Sequence, residues 1–353
     1  MLQRGYLRLQ SDPNIYRRHT ASIFLLLAIY VDDILLLCND NTALSQAKQE
    51  LCQTFSMTDM GSLQYCLGIQ VDQHPVDGYI SMHQSSYVHA LLTKFHMEAS
   101  KGVATPLPLN LKMPPNQQDS SASPSSTPYP YANILGCLRY LIICTRPDLC
   151  YATNYLSRFL QHPGAVQIQH LKRVLRYLRH TSNYGLLYKA DSNTPSNTLI
   201  GYSDADWGGD EQTKQSLSGF TYLLSNAAIS WQSKKEEHVT LFSTEAEYVS
   251  MTLALKEGMW LKTLLEETQL VQIPKLTLHC DNMSAIMLAS NLKDSEKTKN
   301  IALKLQFIRE LVADDSVHLQ HVGTDSQWAD FLTKSLNKLK DYECCKHLGI
   351  CPI

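Results

Sequence analysis

The sequence predicts an α/β protein, and three observations carry the prediction. From residue 197 to about residue 340, strand-like and helix-like patterns alternate. Residues 131–190 hold apolar positions at helical spacing. Near the start, two apolar runs, Ile23 to Ile29 and Ile34 to Leu37, flank a pair of aspartates in the manner of a β-hairpin.

The first zone, residues 1–104, mixes strand and helix signals around that hairpin. Tyr30-Val31-Asp32-Asp33 sits at the junction of the two runs and presents two carboxylates at the tip. Aspartate is common in turns, where it hydrogen-bonds its own backbone. Adjacent aspartates between buried strands are better accounted for by metal binding. Residues 105–130 (TPLPLNLKMPPNQQDSSASPSSTPYP) read as an exposed linker or long loop.

Residues 131–190 read as helical. Leu171, Val174, Leu175 and Leu178 recur at i, i+3, i+4 and i+7, which marks a buried stripe. Lys172, Arg173, Arg176 and Arg179 occupy the other side. They form either a solvated helix face or a stripe that tracks the phosphates of a nucleic acid.

The α/β zone, residues 197–340, begins with Leu199 to Asp210 (LIGYSDADWGGD), a strand running into an acidic, glycine-containing turn. Ser218 to Ser225, Ala228 to Trp231 and Val239 to Phe242 read as further strands. A helix is expected to start at Ser243-Thr244-Glu245-Ala246-Glu247-Tyr248. Leu276 to Cys280 alternates as a strand and stops at Asp281-Asn282. Val317 to Val322 is strand-like, Asp330 falls in an expected closing helix (QWADFLTK), and residues 341–353 read as a tail.

Composition bounds what such a chain can do. Its 353 residues suffice for more than one core. With 31 Lys+Arg against 33 Asp+Glu, the formal charge of −2 excludes a uniformly basic nucleic-acid binder, so any such surface is local. The 10 cysteines lack paired C-x-x-C spacing and read as free thiols of a reducing compartment. The start is polar and the apolar stretch Ile23 to Cys38 contains Asp32 and Asp33. Neither a secretory signal nor a membrane span is therefore expected, and the location inferred is intracellular, cytoplasmic or nuclear.

Tyr-Val-Asp-Asp between hydrophobic strands resembles the palm motif of reverse transcriptases. Lys48 to Tyr65, Leu67-Gly68-Ile69, Thr145-Arg146-Pro147-Asp148 and Lys172 to Tyr188 extend the likeness to the Pol polyprotein of copia-type long-terminal-repeat retrotransposons. The resemblance implies a truncated reverse transcriptase palm and thumb over residues 1–104 and a helical connection over 131–190. It implies a ribonuclease H-like mixed five-stranded sheet with flanking helices over 197–340, on the motifs GYSDADW, STEAEY, CDNMSAI and ADFLTK. Asp32 and Asp33 would then be a remnant polymerase metal site. The family's further metal-binding aspartate comes from a strand well upstream, so polymerisation by this chain alone is not expected.

The same resemblance implies Asp204, Glu247, Asp281 and Asp330 as the catalytic, metal-binding acids, with two Mg²⁺ (or Mn²⁺) ions. In-line phosphodiester hydrolysis places charge on the attacking and leaving oxygens, and carboxylates are the hard ligands that hold ions to stabilise both. Each acid also has a plainer role open to it. Thr244-x-x-Glu247 is a capping box, and Asp281 could cap the helix after it. Asp206 or Asp210 could replace Asp204. Glu245 competes with Glu247, although Glu247 shares its helical face with Met251, Ala254 and Leu255.

The chain departs from the family at Lys299-Asn300-Ile301-Ala302 and at Gln306, where two histidines and an acid are usual. His321 lies near the position of a mobile histidine found elsewhere among ribonucleases H. The expected function is hydrolysis of the RNA strand of RNA–DNA hybrids. The expected partners are such a hybrid and the missing reverse transcriptase portion or other Pol products. Two other readings are a catalytically inert remnant that only binds nucleic acid and a scaffold module of a larger reverse transcriptase assembly.

Overall fold

A computed structural model of the chain describes residues 4–20, 22–111, 113, 129–189, 198–290 and 302–353. Most of the expected linker, together with Asn300 and the side chain of Ala302, lies outside these residues. The described residues divide into two compact units. One comprises residues 1–63 and 257–274, and the other residues 64–256 and 275–353.

The first unit is a four-stranded antiparallel sheet in the order β1 (Leu7–Arg8), β2 (Ile15–His19), β3 (Phe24–Tyr30) and β4 (Asp33–Cys38). Helix α1 (Asn41–Thr54) begins where the Asp40 carboxylate accepts the Ala43 N–H at 2.6 Å. Tyr6, Leu25, Leu27, Ala47 and Leu51 form its core. Sequence-remote residues complete this unit. Glu267 accepts hydrogen bonds from the Gln10 N–H at 2.9 Å and from the Ser11 N–H at 3.0 Å.

The second unit holds two five-stranded sheets. One contains β5 (Tyr65–Cys66), β6 (Ile69–His74), β7 (Tyr79–His83), β8 (Tyr184–Lys189) and β14 (Ile350–Pro352), in the order β14-β8-β7-β6-β5. Helix α2 (Ser85–Lys94) precedes the helical layer of α3 (Tyr131–Cys144), α4 (Cys150–Ser157) and α5 (Ala165–His180). Leu171, Val174, Leu175 and Leu178 are fully buried, as their spacing requires. Tyr184–Lys189, near the end of the expected helical zone, instead form β8, because Tyr184-Gly-Leu-Leu-Tyr-Lys finds ladder partners on both β7 and β14.

The other sheet is the expected mixed one, with strand order β11-β10-β9-β12-β13. Strands β9 (Ile200–Asp206), β10 (Leu217–Leu224) and β11 (Ala227–Lys235) are antiparallel, whereas β12 (Leu276–Cys280) lies parallel to β9 and to β13 (Val317–His321). Helix α6 (Ser243–Glu267) follows β11; α7 (Met283–Ser290) and α8 (Ala302–Ala313) lie between β12 and β13.

Three local expectations need correction. Val239 to Phe242 is not a strand. Side chains anchor it instead, with Trp207 Nε1 donating to Thr240 O at 3.0 Å and Thr240 Oγ1 lying 2.7 Å from Ser216 Oγ. QWADFLTK makes no α-helix, only a 3-10 turn at Asp330–Leu332, because Thr333 is drawn to the Asp204 carboxylate. Residues 341–353 are no loose tail. Helix α9 (Lys338–His347) buries Cys344 and Cys345, and Leu348 just after it is buried too, in the core shared by α3, α4 and α5, while β14 pairs with β8. None of the 10 cysteines is in a disulfide.

Thr145-Arg146-Pro147-Asp148 also acquires a physical role. Arg146 is fully buried, and its Nε and Nη2 donate to the two oxygens of Asp148 at 2.9 and 2.7 Å. Nη1 donates to Thr181 O at 2.9 Å, so one guanidinium ties the start of α4 to the end of α5. Arg146→Ala is expected to cost about 3–5 kcal/mol, because it leaves Asp148 buried without its partner. Urea denaturation of the two proteins measures the difference; a loss under about 1 kcal/mol would contradict this account.

Candidate nuclease centre

The four acids expected to work together arise from four separate elements of the second unit. Asp204 lies near the C-terminal end of β9 and is 2% exposed. Parallel pairing sets His279 beside Tyr202, so two residues further along both chains come Asp204 and Asp281. Glu247, in the second turn of α6, is 6% exposed. The Ala205 N–H, next to Asp204, binds its carboxylate. Asp330 arrives on the 3-10 turn.

That turn reaches the sheet because residue 219, opposite Asp204 on β10, is glycine. A Cβ there would stand 2.8 Å from Leu332 Cβ and 2.8 Å from Thr333 Cγ2. The Thr333 hydroxyl donates to Asp204 Oδ2. Ser250 Oγ donates to Asp204 O at 2.7 Å and Gln327 Nε2 to Ser203 O at 2.9 Å, fixing the strand beneath the carboxylate.

The plainer roles are filled by neighbours. Asn282, not Asp281, caps α7, accepting the Ala285 N–H at 3.0 Å. Glu245, not Glu247, turns back over the start of α6, accepting the Leu241 N–H at 2.7 Å. Asp210 is held by Arg158 at 3.2 Å and Lys235 at 2.5 Å. Burial opposes its ionisation, but Lys235, the Thr213 and Gln212 N–H groups and Arg158 hold its pKa down to about 2. It is therefore a structural anion. Asp206, at the end of β9, is half-buried and raised by desolvation.

Burial and mutual proximity oppose ionisation of the acids in the centre. Burial raises the pKa of Asp204, and Asp330 and Asp281 push it further, against the pull of Lys334 and Thr333. Burial raises Glu247 most, to about 9, with Asp204 and Asp281 adding to the rise. Asp330 is likewise raised by burial, opposed by Lys334 and Lys340. One ligand atom each of Glu247, Cys280 and Asp281 lies within 4.8 Å of the others. The Cys280 thiol, 3.8 Å from Glu247 Oε2, is kept protonated by burial and by Glu247, so the oxygens are the ligands on offer.

Carboxylate oxygens gathered this closely are hard donors that fit a divalent ion of the Mg²⁺ type. A lysine ammonium already stands among them: Lys334 Nζ is 2.8 Å from Asp330 Oδ1 and 3.8 Å from Asp204 Oδ2. Lys340 Nζ lies 3.6 Å from Asp330 Oδ2. Lys334, Thr333 and Ser250 were not anticipated from sequence. The only available signal was Lys334 four residues after Asp330 within ADFLTK.

The profile of the reverse transcriptase (RNA-dependent DNA polymerase) family matches residues 2–108. The retrovirus-related Pol polyprotein from transposon TNT 1-94 of Nicotiana tabacum is 36% identical over 353 residues, 99% of this chain and 26% of that polyprotein. An uncharacterized mitochondrial protein of Arabidopsis thaliana is 37% identical over 236 residues, 66% of this chain and 93% of that protein. The chain belongs to the copia-type Pol family.

Among solved structures, LC11-RNase H1 in complex with an RNA/DNA hybrid is 15% identical, covering 38% of the Pol chain and 94% of that chain, with a TM-score of 0.30. The foamy viral protease-reverse transcriptase in complex with dsDNA is 12% identical, covering 84% and 55%, with a TM-score of 0.47. The Pol chain spans about a quarter of the length of the curated polyproteins it matches.

In this Pol chain, Asp32 and Asp33 stand exposed at the tip of the β3–β4 hairpin, where Tyr30 pairs with Asp33. Val31 takes a φ of 52°, strained for a β-branched residue. Among the described residues, no third acid, histidine or cysteine joins the two aspartates at metal-holding distance.

The basic stripe also makes contacts within the chain. Arg173 Nη2 donates to Thr105 Oγ1 at 2.9 Å, Arg176 Nε to Lys101 O at 2.7 Å and Arg179 Nε to Glu98 O at 2.7 Å. Lys172 lies 5.2 Å from the Tyr129 ring centroid. Three guanidiniums thus clip residues 98–105 to α5. Of the family departures, Gln306 is described: its Nε2 donates to Glu310 Oε1 at 2.8 Å along α8.

Two expectations can be measured. An acid whose folded pKa is raised contributes stability that is complete below its unfolded pKa and lost as pH rises through the folded one. For Glu247 the window runs from its ordinary 4.5 to about 9. In EDTA, Glu247→Gln should therefore melt higher than the parent at pH 9, with the gap closing by pH 5. A parent equally or more stable at pH 9 would refute the assignment. Separately, Arg176→Ala should cost about 1 kcal/mol of stability. It should leave the salt dependence of hybrid binding unchanged, and a shallower slope would return Arg176 to the nucleic acid.

Proposed function

We propose that residues 197–340 form a metal-dependent ribonuclease H that hydrolyses the RNA strand of RNA–DNA hybrids. The observation that carries this reading is the convergence of Asp204, Glu247, Asp281 and Asp330 on one end of the mixed sheet, Asp281 half-buried and the other three buried. Asp204, Glu247, Asp281 and Asp330 would hold two Mg²⁺ or Mn²⁺ ions. Such ions, when bound, supply the positive charge that activates water and stabilises the leaving oxygen in phosphodiester hydrolysis.

The chain's own groups prepare that chemistry. Ser250 and Gln327 fix the β9 backbone at Asp204, and Thr333 orients one of its oxygens. Thr324 Oγ1 donates to Asp281 Oδ2 at 3.3 Å. Lys340 is braced by the Thr324 and Asp325 carbonyls at 2.9 and 2.7 Å, and so holds the turn carrying Asp330. Substrate selection follows from shape, since 2′-hydroxyls on one strand and deoxy sugars on the other distinguish the hybrid. DNA synthesis is not assigned to Asp32 and Asp33, which have each other but no third acid among the described residues.

The test is cleavage of an end-labelled hybrid by purified protein. Mg²⁺ should support cutting of the RNA strand, and EDTA should abolish it. Asp204→Asn should slow it on the order of a hundredfold or more. Folded parent protein that cuts nothing in Mg²⁺ or Mn²⁺ would overturn the enzyme reading and leave a chain that binds nucleic acid or serves a larger assembly.

A further inference from the structure

Lys334 and Lys340 both approach the acid cluster, but they are held differently. Lys340 is anchored: its Nζ donates to two backbone carbonyls, lies 4.9 Å from the Trp328 ring centroid, and its side chain is 16% exposed. Lys334 is 38% exposed, while the Asp204 and Asp330 side chains beneath it are 3% and 4% exposed. Among the described residues, its Nζ meets only these carboxylates. It therefore enters from the solvent side on a flexible stem and touches Asp204 Oδ2 and Asp330 Oδ1.

Those oxygens are the ones a divalent ion bound to Asp204 and Asp330 would need. An ammonium and a metal ion on the same oxygens repel, and burial strengthens that repulsion. Without any cation, the buried carboxylates would repel each other. We propose that Lys334 is a built-in counter-cation. It neutralises Asp204 and Asp330 while the centre is free of metal, and a divalent ion binds by displacing its ammonium into solvent. The fold is thus supported before metal arrives, at the expense of metal affinity. The proposal rests on the reading of the cluster as a metal site.

Lys334→Met, which keeps the stem and removes the charge, tests it by two readouts that need no substrate. In EDTA the variant should melt below the parent. By calorimetry it should bind Mn²⁺ about tenfold more tightly, a shift worth about 1.4 kcal/mol. Equal or weaker Mn²⁺ binding by the variant, with the parent binding normally, would overturn the counter-cation and leave the metal site standing. Uptake by neither protein would overturn both.

The parent protein supplies a test that does not depend on the variant folding. Acetylation of Lys334 by acetic anhydride, followed by mass spectrometry, should be faster with Mn²⁺ than with EDTA, because displacement frees the amine. Unchanged or slower labelling would also overturn the proposal.

Discussion

Gathering negative charge at one end of a sheet is the constraint around which the second unit is arranged. Like charges about 5 Å apart repel by roughly 3 kcal/mol at an effective dielectric of about 20. That is a large share of the roughly 5–15 kcal/mol by which a domain is stable. Asp204, Glu247, Asp281 and Asp330 are nevertheless brought together by strand pairing, by a helix packed on the sheet and by a tight turn. Each device is needed because no single element could present four acids to one point. The two lysines on the closing segment reduce the charge, and Gly219 lets that segment come close.

The helical layer makes this possible from a distance. Phe331 and Leu332, which follow Asp330 on its turn, belong to the same core as Leu138, Leu141, Leu149, Leu171 and Leu178. The turn bearing Asp330 is therefore seated in the layer formed by α3, α4 and α5. Arg146 fastens that layer internally through Asp148 and Thr181, and Thr145 Oγ1 donates to Gln84 Oε1 at 2.9 Å. Residues 131–190 thus serve the centre by placing one of its acids, without contributing an acid of their own.

What was legible in the sequence was what repeats or alternates. The leucine stripe of α5 and the alternation of β12 translate directly into burial, and strand-then-acid motifs mark the ends where carboxylates collect. Choosing Glu247 over Glu245 was a matter of helical phase, and the neighbours of each in the structure agree with that phase. Features set by remote partners were not legible. Residues 239–242 have strand-like composition, but Trp207 holds the Thr240 carbonyl and Ser216 the Thr240 hydroxyl. The closing helix failed because Thr333 binds a side chain 129 residues away. Residues 341–353 looked like a tail because β14 has no partner until β8 is in place.

The basic side chains of α5 have partners within the chain as well as a face towards solvent. An arginine that donates to a backbone carbonyl keeps its charge, but its geometry is committed to the chain. Arg173, Arg176 and Arg179 each commit one nitrogen to residues 98–105, while Lys172 and Arg179 stay exposed on α5. On the proposed function, cations held by the acids themselves would add to the attraction for the scissile strand. Productive binding and catalysis would be two consequences of one charge arrangement, and removing the metal would weaken both together.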